Sequence, residues 1–202
     1  MMKKGQLIKK FDKQAVKYSR MRKNQEQNKW RKQIFQSVRG KTLEVAVGAG
    51  MNFSFYPQDI EYTGVDFSSK MIEHAKETAK KYEVNSTFME SDVECLNFPE
   101  NSFDTIVSSG SFCSYENPVH VLNLFNQWCK EDGQILLLEH GLFSVPTLAW
   151  IQKKLDKVAV QTLGCHQDRD ILEIVKQSDL NVMKHERGML GYLYLVWAKP
   201  QK

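Results

Sequence analysis

The sequence predicts a doubly wound α/β fold, with a mostly parallel sheet whose last strand runs antiparallel. Three observations predict it. Leu43-Glu44-Val45-Ala46-Val47 is an apolar run with one acid that empties into Gly48 and Gly50. That is the pattern of a buried parallel strand, a tight turn, and a ligand held against backbone. From there to about residue 140, strand-length apolar runs alternate with helical periodicity at βαβ spacing. Finally, Leu180–Arg187 and Tyr192–Ala198 are joined only by a short turn through Gly188 and Gly191. Sheet neighbours joined so closely cannot be parallel, because a parallel pair needs a crossover.

Each element follows from its residues. Leu7 to Val38 lacks proline, and Ile8, Phe11, Ala15 and Tyr18 fall at helical steps, as do Trp30, Ile34 and Val38. Between them Ser19–Asn28 is nearly all polar, an exposed turn or a bare helix. Thr42–Val47 is the first strand, Met51–Tyr56 a short helix or turn stopped by Pro57, and Tyr62–Asp66 the second strand. Ser68 or Ser69 caps a helix that runs through Met71, Ile72, Ala75 and Ala79 to about Lys81. Ser86–Glu90 and Phe103–Ser109 are the third and fourth strands, with a loop over Ser91–Asn101. Gly110–Pro118 is a polar and aromatic loop, and Val119–Cys129 a helix. Glu131-Asp132-Gly133 turns into a fifth strand, Gln134–Glu139, whose continuous apolar core suits cover on both faces. Leu142–Leu163 then breaks the rhythm as an inserted helix ended by Gly164-Cys165-His166, and Asp168–Gln177 is a further helix.

One domain over residues 1–202 is expected, with residues 1–39 as a helical cap and 142–166 as a helical insert near the substrate mouth. No stretch reaches 18 apolar residues, and the Lys-rich start has no apolar run behind it, so the expected location is cytoplasmic. The net charge of +4 hides an asymmetry, with +12 over residues 1–42 and −8 over the rest. Such a basic segment suits phosphate, an anionic membrane surface or an acidic substrate, or it is simply a solvated helix face. Cys95, Cys113, Cys129 and Cys165 have no metal-site spacing and read as reduced thiols; no metal ligand is expected.

Further residues in order give these features a family likeness. Gly64-Val65-Asp66 and Met71-Ile72 follow the glycine turn, then Asp92, Phe103-Asp104 and Asp132-Gly133. With Glu44–Gly50 this series, over about residues 40–140, resembles the class I methyltransferases that use S-adenosyl-L-methionine. Phe11-Asp12 with Ala15 and Tyr18 resembles the start of the quinone-biosynthesis C-methyltransferases. Gly50-Met51-Asn52-Phe53, Tyr56-Pro57, Leu138-Glu139-His140, Trp150, Gly164-Cys165-His166 and Arg169 look more like the methyltransferase-like thiol and lipid branch. The resemblance implies a seven-stranded sheet of order 3-2-1-4-5-7-6.

It also implies roles. Gly48 and Gly50 let backbone approach the amino-acid half of the cofactor, and Glu44 orients that end, or else steadies the glycine loop. Asp66 takes the ribose hydroxyls, Phe67 and Met71 line the adenine pocket, and Asp92 with Val93 meets adenine. Ser108, at the carboxyl end of strand four, faces the reacting centre. Ala46 stands where the family has its first glycine, and its place inside a strand predicts extended backbone there. His140, His166 and Tyr18 are candidate catalytic residues at the mouth, and a histidine suits proton removal near neutral pH. Arg169 is a candidate partner for an anionic substrate group. Phe112, Tyr115, Phe143 and Trp150 are placed around the mouth.

The expected reaction is in-line methyl transfer to a small, partly apolar acceptor, a thiol, amine, quinone-like or lipid-like molecule. The expected state is monomer or homodimer, with peripheral contact to an anionic membrane open to the basic segment. The motif that base-directed nucleic-acid methyltransferases often carry after strand four is missing, which argues against nucleic acid. The rivals are an RNA or protein methyltransferase using the basic segment, and a non-catalytic protein that binds the same cofactor. A dehydrogenase fingerprint needs glycine where Phe53 stands.

Overall fold

The computed structural model describes residues 4–21 and 25–202. Helices α1 (Lys4–Arg20) and α2 (Gln25–Phe35) precede β1 (Lys41–Val45), β2 (Glu61–Asp66), α3 (Ser69–Lys81), β3 (Ser86–Glu90), β4 (Phe103–Ser109) and α4 (Pro118–Trp128). Then come β5 (Cys129–His140), α5 (Pro146–Leu163), α6 (Ile171–Lys176), β6 (Leu180–Gly188) and β7 (Leu193–Pro200). The seven strands lie in the order β3-β2-β1-β4-β5-β7-β6. Neighbours from β3 to β5 pair in parallel, and β7 is antiparallel to both β5 and β6. The expected order and the antiparallel last strand are both present.

The sheet separates two apolar clusters. Leu43, Val45, Ile106 and Leu137 pack with Leu122, Phe125 and Trp128 of α4. Val107, Leu136 and Leu195 pack with Ile72 and Ala75 of α3 and with Ile34 and Phe35 of α2. Burial of central strands on both faces is why β1 and β5 read as continuous apolar runs. Helix α2 is therefore part of the core. Helix α1 lies elsewhere: its Ala15 packs with Ala49 and Met71, with Phe11 and Tyr18 beside them. The polar Ser19–Asn28 stretch divides between the end of α1 and the start of α2, and its residues 22–24 lie outside the described ones.

Local signals fix most boundaries. Ser68 caps α3 by accepting from Met71 N–H, Asn117 caps α4 ahead of Pro118, and Asp170 caps α6. Two expectations need correction. Residues 131–133 do not end in a turn before the fifth strand; they lie within β5, where the pairing jumps from Phe103↔Cys129 to Thr105↔Gln134. That irregularity absorbs the extra residues as a bulge. The first strand also stops at Val45, two residues early, because the chain has already turned at Ala46.

Candidate functional site

The site is built from loops at the carboxyl ends of the strands, where open α/β sheets hold ligands. Ala46 has φ +50, Gly48 +56 and Gly50 +72. The extended backbone expected at Ala46 is not the one the chain adopts. Val47 N–H donates to Val65 O at 3.0 Å and Gly48 N–H to the Asp66 carboxylate at 2.9 Å. Reaching both acceptors within three residues requires the left-handed turn, which strains an alanine by about 1–2 kcal/mol. The two glycines differ in purpose. A Cβ on Gly50 would lie 2.5 Å from the Phe53 ring, whereas one on Gly48 would meet only the Ala46 carbonyl, at 4.0 Å. Gly50 serves packing, and Gly48 faces open space.

Beside the turn is a cavity lined by Ala46, Asp66, Phe67, Asp92, Val93 and Tyr115. Asp66 accepts from Gly48 N–H on one oxygen and from Ser68 N–H on the other, each at 2.9 Å. Burial pushes its carboxyl up to about 6 against those bonds. The Tyr115 hydroxyl, at the same cavity, is buried and has no hydrogen-bond partner among the described residues. A buried hydroxyl left over at this cavity is what a polar ligand would complete. Helix α1 covers this region. Lys4 pairs with Asp92 and stands 5.5 Å over the Phe67 ring, Phe11 meets Phe67 edge-on, and Ser68 Oγ donates to Asp12 at 2.5 Å.

Several expected residues sit elsewhere. Met71 is packed against Ala15 and Ala49 and does not line the cavity. Glu44 is fully enclosed and accepts from Asn52 Nδ2, Tyr56 Oη and Tyr62 Oη at 2.6, 2.8 and 2.6 Å. It steadies the segment after the turn through side chains, not through the backbone N–H groups of the glycine loop. Burial raises its carboxyl to about 7 despite these donors. Asn52 is in turn the acceptor for Arg31, which also donates to Ser109 at 3.0 Å. Ser108 is buried and donates to Glu139 at 2.7 Å. Glu139, which sequence reading passed over, also accepts from Ser111 N–H at 2.8 Å and Phe112 N–H at 3.2 Å. Its burial raises its carboxyl too. An acid closing the apolar run 135–138 was the available signal.

The mouth gathers residues from distant parts of the chain. Arg169 donates to the carbonyls of Phe112 and Tyr115, so it holds the 110–118 loop and does not stand free for a substrate anion. His166 Nδ1 lies 2.7 Å from Asp156, whose other oxygen accepts from Gln167 N–H at 2.7 Å. A second cavity is lined by Lys4, Leu7, Cys113, Ser114, Val160 and His166, among others. His140 stacks on Tyr192 with ring centroids 5.3 Å apart. Cys113, His140 and Cys165 bring ligand atoms within 4.8 Å of one another, a cluster that their spacing concealed. A hydrogen bond between the two thiols raises Cys113 and lowers Cys165, which His140 and Gln167 also hold down. Tyr18 lies near both thiols, and burial raises its phenol. Of the aromatics assigned to the mouth, Tyr115 meets the first cavity, Phe112 is core, and Trp150 is 63% exposed on the outside of α5.

A family model described as "Methyltransferase domain" matches residues 43–137. The match marks residues 43–137 as a methyltransferase domain. Domains of this family use S-adenosyl-L-methionine, and the cavity lined by Asp66, Asp92 and Tyr115 offers carboxylate acceptors and a hydroxyl that fit it. Among relatives, this chain is 34% identical over 194 residues to mitochondrial methyltransferase OMS1 of Saccharomyces cerevisiae, covering 85% of this chain and 40% of that protein. It is 29% identical over 157 residues to the phosphatidylethanolamine N-methyltransferase of Cereibacter sphaeroides, covering 77% of each. The chain thus spans well under half of the first relative. Among solved structures, the YcgJ protein of Bacillus subtilis superposes with a TM-score of 0.67 at 15% identity, over 87% of this chain and 97% of that one. A putative methyltransferase of Bacillus halodurans gives 0.71 at 11% identity, over 86% and 98%. At those identities the structural likeness speaks for the fold alone.

Proposed function

We propose that this chain transfers a methyl group from S-adenosyl-L-methionine to a small, partly apolar acceptor drawn from the cytoplasmic face of an anionic membrane. The bound cofactor supplies an already activated methyl group, so the protein's part is aim and exclusion of water. Asp66 holds the ribose hydroxyls, Asp92 and the Val93 backbone meet adenine, Phe67 flanks it, and Gly48 lets the backbone close on the methionine end. Tyr115 offers its free hydroxyl to the same ligand. Lys4 must leave Asp92 for this, so α1 acts as a cover. His166, held by Asp156, is the proton acceptor at the mouth, with Tyr18 and His140 beside it.

The observation that carries the choice of acceptor is the outer face of α5. Trp150, Ile151, Leu155 and Val158 form one helical stripe, exposed by 63, 45, 56 and 56%. Lys153 and Lys157 flank it on one side and Lys154 stands over the Trp150 ring, all three exposed. An apolar stripe bordered by lysines suits the boundary of an anionic bilayer. Val160 and Gly164 of the same helix end line the second cavity. The name of one relative, a phosphatidylethanolamine N-methyltransferase, supports the same reading.

Labelled S-adenosyl-L-methionine offered with phosphatidylethanolamine–phosphatidylglycerol vesicles, with and without a demethylated quinone, tests this. The label should enter the lipid extract. The double change Trp150→Glu and Leu155→Glu should reduce that by about tenfold or more while cofactor binding is kept. Label found only in added RNA or protein, with RNA binding that falls steeply with salt, would instead establish the polymer-directed rival.

A further inference from the structure

We propose that Cys113, His140 and Cys165 form a zinc-binding site at the acceptor mouth, with its fourth position open. The proposal rests on the cluster itself and stands apart from the identity of the acceptor. Three elements converge there. Cys113 is in the loop after β4, His140 is the last residue of β5, and Cys165 follows the glycine that ends α5. Each offers one ligand atom, all within 4.8 Å of one another. Tetrahedral zinc, with bonds of about 2.3 Å to sulfur and about 2.0 Å to nitrogen, needs such atoms roughly 3.6 Å apart. Closing from the present spacing is a side-chain adjustment of about 1 Å.

The donor set selects the ion. Two thiols and an imidazole are soft to borderline ligands that favour zinc over magnesium or calcium. The neighbouring Asp156, His166 and Asp168 group is oxygen-rich, and its Asp156–His166 pair is already satisfied internally. In the Cys–His cluster, by contrast, His140 Nδ1 is buried and has no hydrogen-bond partner among the described residues. A buried ring nitrogen left unpaired on a histidine that already hydrogen-bonds Cys165 is costly unless something binds it. A disulfide between the cysteines would leave that nitrogen unaddressed.

The surroundings resemble the outer layer of a metal site. Gln167 Nε2 donates to Cys165 Sγ at 3.0 Å, and Tyr192 Oη donates to Gln167 Oε1 at 2.9 Å. The same Tyr192 ring stacks on His140, so one side chain steadies both ligands. Structural zinc takes four protein ligands, whereas three leave a position for water or substrate. Here the second cavity reaches Cys113, with Ser114, His166 and Leu7 around it. A soft group on the acceptor, a thiol above all, is the chemistry such a vacancy would take.

The test uses the full chain, stripped with a chelator under reducing conditions and titrated with zinc. One zinc per chain should survive gel filtration. Zinc should slow alkylation of Cys113 and Cys165 by about tenfold or more and leave the exposed Cys95 unchanged. Cobalt in its place should give a thiolate-to-metal charge-transfer band and the visible absorption of a tetrahedral ion. His140→Gln keeps both thiols and should weaken zinc by at least about tenfold. If that variant fails to fold, alkylation of the unaltered chain decides alone. No retained zinc, protection no greater at Cys113 and Cys165 than at Cys95, or a Cys113–Cys165 disulfide that zinc does not prevent would each overturn the proposal.

Discussion

The two ends of the site are held together in different ways. At the glycine turn the ties of Glu44 and Gly48 are short-range: Glu44 is bonded to residues 8, 12 and 18 positions away, and Gly48 to Asp66 at 18. At the mouth those of Glu139 and Arg169 are long-range. Glu139 reaches back 28 and 31 residues to Ser111 and Ser108, and Arg169 reaches back 57 and 54 to Phe112 and Tyr115. Both ends bury carboxylates, but the first uses them to shape one turn and the second to pin one loop against another. The first end should therefore tolerate changes in the insert, and the second should be the weaker under local unfolding.

The largest effect should come from the mouth. Arg169→Ala leaves the Phe112 and Tyr115 carbonyls without their donor, and chemical denaturation should show a loss of about 4 kcal/mol. Arg169→Lys should recover little of it, because two carbonyls need the guanidinium fork. A loss below about 1 kcal/mol would mean that the loop is held by something else.

Next comes a pH effect from the glycine end. Glu44 is raised from its ordinary value to about 7, and Asp66 to about 6, chiefly by burial. The folded chain therefore keeps protons that the unfolded chain releases. Stability from these groups is full below the ordinary carboxylate range, falls as pH rises, and levels off above about 7. The Glu44 share is roughly 3 kcal/mol. Glu44→Gln should flatten the slope of unfolding free energy between those limits, and an unchanged slope would exclude Glu44 as its source.

Asp66→Ala should weaken S-adenosyl-L-methionine binding about thirtyfold, near 2 kcal/mol, by calorimetry. The same change should leave zinc-dependent protection of Cys113 intact, which keeps the two ends separable. The smallest effect belongs to Ala46. Ala46→Gly removes a Cβ from a backbone at φ +50 and should stabilise the chain by about 1 kcal/mol in the same denaturation experiment.

This difference in range also explains what could be read from the residues. The parallel sheet and its antiparallel last strand follow from apolar runs and spacings, whereas the strand order and the roles of Asp66, Asp92 and Gly48 follow from the family likeness that residues 40–140 carry. Cys113 and Cys165 carry no spacing signal because the β5–α5 connection, and not sequence proximity, brings them together. Ala46 failed for another reason. Strand periodicity says where apolar side chains recur, but the residue at which the chain leaves the sheet is set by hydrogen bonds to Val65 and Asp66 on the neighbouring strand. Trp150 and the α5 stripe were legible as an apolar face, though not as an outward one.

Calorimetric titration of S-adenosyl-L-methionine into the unaltered chain, beside Asp66→Ala, tests the central claim most directly. One cofactor per chain, weakened about thirtyfold by the substitution, is the expected result. No binding to the unaltered chain, or equal binding to both, would contradict the assignment of the cavity at Gly48 and Asp66.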